Sequence, residues 1–482
     1  MGTQNGEVKD SMVVCQSNQG VELHASLLRL TRFSVVFELY NPASVLRLSE
    51  VLAEFRIIVR DRTLYSGRAV VRSLINSGLT IVCEATLEEA SWMDVEFAPG
   101  KNGNGELAKG FGEFMHEWQK LYKVGSDYKL IVADMQSFFM DLRLWLDQVE
   151  MNVRSAPAGD RLQLEQAAAD EVAGTVIPSV NMLFEKFEEI ADKLEEELKP
   201  AHRSYMRRQL HSWVMCAPFP HRAFYKPLGY AGDYELVNMM ARNAHEGGSL
   251  FAKIVNTWFL RQPPAQAHRN RIDYLVEKLR LETARTLAAG HDSRVFNVAC
   301  GPAQEMAQFL AEEPLSARSK FTLLDFNEET LQYTGGVLNE AKSRHGRSTP
   351  LEFVKKSVHH LLKESSRSIE RSFQNQYDCV YCAGLFDYLS DQVCQRLMNL
   401  MYEWVAPGGL LLATNVEPSN PLRHGMEHLL DWHLIYRTGP QMRNLKPQPT
   451  HADDVLVHSD VTGVNVFIEV RKPCLKNIPH AL

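Results

Sequence analysis

Arg294-Val-Phe-Asn-Val-Ala-Cys-Gly-Pro-Ala-Gln-Glu305 and, a short way on, Phe321-Thr-Leu-Leu-Asp-Phe-Asn327 decide how this chain is read. The first stretch runs apolar through Val295, Phe296, Val298 and Ala299. It breaks at Gly301, where the missing side chain lets backbone N–H groups approach a bound molecule. A helix is predicted to follow at once. The second stretch ends on Asp325, 24 residues beyond Gly301. That is close to the interval of about 20 at which a nucleoside-binding βαβ unit sets an acid against ribose hydroxyls. The two stretches predict consecutive parallel strands whose ends carry ligand chemistry.

A dinucleotide site wants G-x-G-x-x-G so that the backbone can reach a pyrophosphate. The loop Cys300-Gly-Pro-Ala-Gln-Glu305 has a single glycine, which suits a nucleoside cofactor without phosphates, S-adenosylmethionine. One glycine-bearing turn occurs in many open α/β sheets, so the elements that follow carry the weight. Tyr377-Asp-Cys-Val-Tyr-Cys-Ala-Gly384 predicts a fourth strand, and Trp404-Val-Ala-Pro-Gly-Gly-Leu-Leu-Leu-Ala-Thr414 a turn leading into a fifth. Val464-Asn-Val-Phe-Ile-Glu-Val-Arg471 alternates apolar residues and predicts a closing strand. In this order the elements resemble the class I methyltransferases. The resemblance implies an α/β, Rossmann-like sheet closed by an antiparallel strand, S-adenosylmethionine as cofactor, and cofactor contacts at Asn297, Ala299, Gly301, Asp325, Phe326 and Gly384. Asn297 stands where that family often has an acid, which leaves the methionine amino group without an assigned partner.

At 482 residues, 45% hydrophobic and 23% charged, the chain has ordinary globular composition and length for two or three domains. No apolar run reaches the ~18 residues of a membrane helix. The polar start Met1-Gly-Thr-Gln-Asn-Gly-Glu7 lacks a signal core, so a cytoplasmic location is expected. The net charge of −7 provides no basic footprint for nucleic acid. Eight irregularly spaced cysteines read as reduced thiols; Cys379 and Cys382 have metal-like spacing, but they sit in an apolar strand, and no metal site is expected.

The organisation predicted is a small β-barrel over 1–100, a helical region over 106–215 and a methyltransferase domain with an N-terminal helical lid over 216–482. Strands are expected at Leu30–Tyr40, Glu54–Arg60, Leu64–Leu74 and Leu79–Thr86, each bounded by turn residues. Helical periodicity begins with Phe111, Phe114, Met115 and Trp118 and is clear again from Leu183 to Leu194. Pro99-Gly-Lys-Asn-Gly-Asn-Gly105 reads as a linker. The barrel segment resembles PilZ domains, which bind cyclic di-GMP through R-x-x-x-R and [D/N]-x-S-x-x-G. Arg56-Ile-Ile-Val-Arg60 has the first spacing, but nothing downstream matches the second, so docking or homodimerisation is expected instead of dinucleotide binding.

Two clusters supply polar groups for an acceptor. Phe224-Tyr-Lys-Pro-Leu-Gly-Tyr-Ala-Gly-Asp-Tyr-Glu235 combines bending glycines with phenols, a composition suited to a substrate lid. Asn415-Val-Glu-Pro-Ser-Asn420, followed by Glu427, His428, Asp431, Trp432, His433, Tyr436 and Arg437, precedes the closing strands. Together "KPLGYAGDYE", "NVACGPAQE", "YCAGLFDYLSD", "PGGLLLATNVEPSNP" and "DWHLIYR" resemble the bacterial methyltransferases (PhcB type) that make extracellular-factor 3-hydroxypalmitic acid methyl ester, a quorum-sensing signal. This resemblance, over about 220–472, implies methyl transfer to the carboxylate of a 3-hydroxy fatty acid. A carboxylate is ionised at pH 7 and needs no base; it needs desolvation and one donor on its non-attacking oxygen. Tyr230, His433 and Tyr436 are suitable types, with Arg437 as an orienting charge. A hydroxyl or amine acceptor would instead need a base, from Asp233, His428 or His433. A noncatalytic S-adenosylmethionine-binding regulator remains an alternative.

Overall fold

The structure is a computed structural model, and it describes residues 11–17, 22–39, 46–59, 62–76, 81–88, 91–92, 124–364, 373–448 and 450–474. The predicted linker at 99–105, the apolar positions 111–118 and Arg60 lie outside these residues. The chain divides into two compact units, each assembled from separated segments.

The first unit comprises Met1–Ala231, Ala244–Leu260 and Pro421–His433. It contains a closed antiparallel barrel in the order β1-β2-β3-β6-β5-β4. The strands are β1 (Ser11–Gln16), β2 (Glu22–Leu30), β3 (Ser34–Leu39), β4 (Val51–Val59), β5 (Arg62–Asn76) and β6 (Ile81–Leu87). Closure removes the edges that an open sheet of this size would expose. Alternation decides the two faces: in β6, Ile81, Cys83, Ala85 and Leu87 are buried and the residues between them are not. Inside, Phe55 lies tilted against Phe37 and edge to face with Tyr65, with centroids at 5.7 and 6.2 Å. β1 and β2 were not expected from the sequence. The helical part of this unit has two long helices, Ser126–Ser155 and Arg161–Asp192, followed by Lys199–Val214. The predicted 183–194 periodicity falls in the second, where Phe184, Phe187 and Ala191 are buried.

The second unit comprises Gly232–Asn243, Arg261–Asn420 and Leu434–Leu482. Its seven-stranded sheet is built from β7 (Ser293–Val298), β8 (Ser319–Asp325), β9 (Leu351–Lys355), β10 (Tyr377–Cys382), β11 (Val405–Val416), β12 (Val455–Ser459) and β13 (Asn465–Arg471). The order is β12-β13-β11-β10-β7-β8-β9, with all neighbours parallel except β13, which runs antiparallel to β11 and β12. This is the class I methyltransferase sheet, with the expected antiparallel closing strand in place. One face packs Leu275 and Leu279 of helix Pro263–Ala288 and Met306, Phe309 and Leu310 of helix Gln304–Glu312 against Val295, Leu323 and Tyr381. On Phe296, Tyr377 stacks at 5.0 Å and Trp404 stands edge-on at 4.9 Å. β10 and β13 are buried along almost their whole length, as strands covered on both faces must be.

Candidate functional site

In an open parallel sheet, ligands bind beyond the carboxyl ends of the strands where the strand order reverses. Here that point lies between β7 and β10, since β8 and β9 extend from one side of β7 and β10 and β11 from the other. The register aligns three ends: Asn297 pairs with Tyr381 of β10 and with Leu323 of β8, and Val298 pairs with Leu324. Gly301, Asp325 and Gly384 therefore follow adjacent strands at one edge of the sheet.

The loop after β7 is wound tightly. Ala299, Gly301 and Ala303 all have left-handed backbones, with φ of 56°, 52° and 49°. Two alanines in that region cost on the order of 1–2 kcal/mol each, and such strain gathers at ligand sites. Bonds on every side hold the loop: Cys300 N–H donates to Leu324 O at 2.9 Å, and Thr334 Oγ1 to Gly301 O at 2.7 Å. A Cβ built on Gly301 would have nothing within 4 Å, so the position opens onto space. Asp325 is 6% exposed; its Oδ2 accepts from Gly301 N at 3.2 Å and its Oδ1 from Asn327 N at 3.0 Å. The acid thus braces the loop from the end of β8. Phe326, next along, is partly buried.

Gly384 is also left-handed, at φ 97°, but for a different reason: a Cβ there would stand 3.1 Å from Arg271 Nη1. Its N–H donates to Thr414 Oγ1 at 3.1 Å. Asn297, 2% exposed, points its amide at Glu305: Nδ2 donates to Oε1 at 3.0 Å, and Tyr381 OH donates to the same oxygen at 2.6 Å. Beyond Gly384, Asp387 is buried, with Oδ1 accepting from Val416 N at 2.7 Å; burial pushes its carboxyl up to about 6 against that hydrogen bond and the charges of Arg271 and Arg437. Arg271, Glu305 and Asp387 carried no role in the sequence reading. Glu305 sat inside the quoted loop, whereas Arg271, on a helix well before β7, gave no local signal.

The acceptor candidates divide between the units. Tyr436 and Arg437 belong to the sheet unit. Arg437 is 2% exposed and donates to Phe386 O, Leu389 O and Asn415 Oδ1 at 2.6–2.7 Å. It fastens the turn after β10 to the end of β11. Asp233 caps helix Tyr234–Arg242, its Oδ1 accepting from Leu236 N at 2.9 Å. That helix is tied to the cofactor-loop side by Gln304 Nε2 to Asn238 Oδ1 at 2.6 Å and by Tyr234 stacking on Tyr333.

Tyr230 and His433 belong to the barrel unit. Tyr230 lies in the turn after Lys226, whose ammonium is buried and donates to Leu430 O at 3.0 Å; burial lowers it to about 7. His433 Nε2 contacts Asp431 Oδ1 at 3.1 Å, and Arg207 donates to the same oxygen at 2.9 Å. Burial drives His433 down to about 4 despite Asp431, so its imidazole is neutral at pH 7. His428 is fully buried, with Nδ1 2.7 Å from Tyr128 OH. Among the described residues, no group of three or more His, Cys, Asp or Glu could hold a metal ion, and no helix is long and apolar enough to cross a membrane.

No family model matches the chain, and no curated protein matches it. Among solved structures, it is similar to a possible exported protein from Bordetella parapertussis, at 14% identity over 63% of this chain and 97% of that one, TM-score 0.41. It is also similar to magnesium protoporphyrin IX methyltransferase from Synechocystis with bound SAH, at 12% identity over 49% and 93%, TM-score 0.32. A third is an O-methyltransferase family protein from Burkholderia thailandensis, at 16% identity over 59% and 75%, TM-score 0.32.

Proposed function

We propose that this chain is an S-adenosylmethionine-dependent methyltransferase whose acceptor is the carboxylate of a 3-hydroxy fatty acid, giving a methyl ester of the quorum-signal kind. The observation that carries the methyltransferase reading is the placement of the Gly301 loop, Asp325 and the Gly384 turn on adjacent strand ends at the switch point of a class I sheet. The residues present fit the cofactor: open space faces Gly301, and a braced carboxylate at Asp325 suits ribose hydroxyls. When bound, the cofactor supplies an electrophilic methyl on a sulfonium. The chain's own work is to hold the acceptor in line and free of water, which is worth several kcal/mol of barrier. Tyr436 is the donor we assign to the acceptor's non-attacking oxygen; Tyr230 and His433 are further candidates for that role. The barrel, whose PilZ likeness rests on sequence alone, is proposed as a docking or dimerisation module.

Asp387 supports a second reading. A buried carboxyl at about 6, three positions past Gly384, is matched to taking a proton from a hydroxyl or amine near neutral pH. Incubation of the protein with methyl-labelled S-adenosylmethionine and a 3-hydroxy fatty acid separates the two. The ester reading expects label released as methanol by mild alkali, and activity that survives His433→Gln. Alkali-stable label, with a loss of ~10²–10⁴-fold in Asp387→Asn, would replace it with the second reading.

A further inference from the structure

Two charged groups at these strand ends, the buried Glu305 and the part-buried Arg271, have fewer partners than their chemistry can use. Glu305 is 7% exposed, and both side chains that donate to it, Asn297 and Tyr381, reach Oε1; no side chain among the described residues donates to Oε2, and the other donor to the carboxylate is its own backbone N–H. Arg271, on helix Pro263–Ala288, makes a single hydrogen bond, Nη2 with His268 Nδ1 at 2.8 Å, and has no carboxylate within ion-pair distance among the described residues. Its Nη1 overlies Gly384. Each group feels the other's charge, yet they stand too far apart to pair.

A charge drawn partly out of water with few partners gains when a ligand supplies the rest. Here the two unmatched charges are opposite in sign and flank the same strand ends. The ligand that satisfies both is a zwitterion. We infer that Glu305 and Arg271 form the receptor for the α-amino acid end of S-adenosylmethionine, Glu305 Oε2 taking the ammonium and Arg271 the carboxylate, with Asn297 a positioning residue that fixes Glu305. This rests on reading the site as a cofactor site. It also accounts for the missing acid at position 297: the carboxylate has moved to the first turn of helix Gln304–Glu312, and the asparagine left behind holds it by its other oxygen. Burial raises the Glu305 carboxyl above its ordinary range, with Tyr381, its own backbone N–H, Arg271 and Asn297 pulling it back, as suits an acid whose counter-charge comes with the ligand. An acceptor carboxylate on Arg271 would leave Glu305 unmatched, so the cofactor is the better occupant.

The test compares S-adenosylhomocysteine with 5′-methylthioadenosine, which shares the nucleoside and thioether but lacks the amino acid. Calorimetry on the full chain should show the first binding at least about 10-fold tighter. Arg271→Leu and Glu305→Gln should each weaken S-adenosylhomocysteine about 10- to 150-fold and leave 5′-methylthioadenosine within twofold, which also reports that the variants are folded. Equal wild-type affinities, or a preference that persists in both variants, would overturn the receptor while leaving the cofactor reading intact. Failure of the wild-type protein to bind either compound would overturn both.

Discussion

Asp325 shows how one side chain serves two ends. Its oxygens each accept a backbone N–H, from Gly301 and from Asn327, so the acid orders the loop that surrounds it before any ribose is bound. Asp325→Ala should therefore lose charge-assisted hydrogen bonds to the ligand and loosen the loop together. We expect S-adenosylmethionine affinity to fall by roughly 30- to 150-fold, about 2–3 kcal/mol; calorimetry giving a value within twofold of wild type would remove Asp325 from the site. The two glycines are required for different reasons. Gly301 is needed for its φ and for the space it leaves to a ligand, and Gly384 for its φ and for the room Arg271 occupies.

Between elements, the notable link runs inside the barrel unit. Ser49, in the turn before β4, is fully buried at a left-handed φ of 57°; its Oγ donates to His433 O at 2.9 Å and accepts from His433 N at 2.6 Å. Close by, Val51 N donates to Gly229 O at 2.7 Å. The barrel thus grips two strands of chain just before each leaves for the sheet unit, at Gly232 and at Leu434. Ser49→Ala strips a buried N–H and a buried carbonyl of their partner at once, and should lower stability by about 1–3 kcal/mol. Urea unfolding with an unchanged midpoint would show that this grip contributes nothing.

For the whole molecule, buried histidines set the response to acid. His202, His211, His268, His424, His428 and His433 are all shifted below the ordinary 6.5, in each case chiefly by burial. The unfolded chain therefore binds protons below 6.5 that the folded chain does not, and stability falls as pH drops through that window. Glu188, raised to about 7, Asp387, raised to about 6, and Glu305 act in the opposite sense, because the folded chain takes up their protons first. Six groups outnumber three, so the histidines prevail. The melting temperature should decline steadily from pH 7 to pH 5, and a flat or rising profile would mean that the raised carboxyls match or outweigh the histidines.

The sheet was legible because its strands announce themselves locally. β7, β8, β10 and β13 are apolar runs ended by Gly301, Asp325, Gly384 and a charged tail, and burial on both faces leaves such runs little choice of structure. β1 and β2 were not legible: Glu22–Leu30 is rich in leucine, with His24 and Arg29, residues at ease in helices, and only pairing with β1 and β3 makes it a strand. The same holds for function. Sequence order alone could set Gly301 and Asp325 at one sheet edge, because parallel strands joined by a helix must end on the same side. It could not bring Arg271 over Gly384 or turn Glu305 toward Asn297 and Tyr381. Nor could it assign residues 421–433 to the barrel unit and Tyr436 to the sheet. Those juxtapositions join residues far apart in the chain, and only the packing of whole elements decides them.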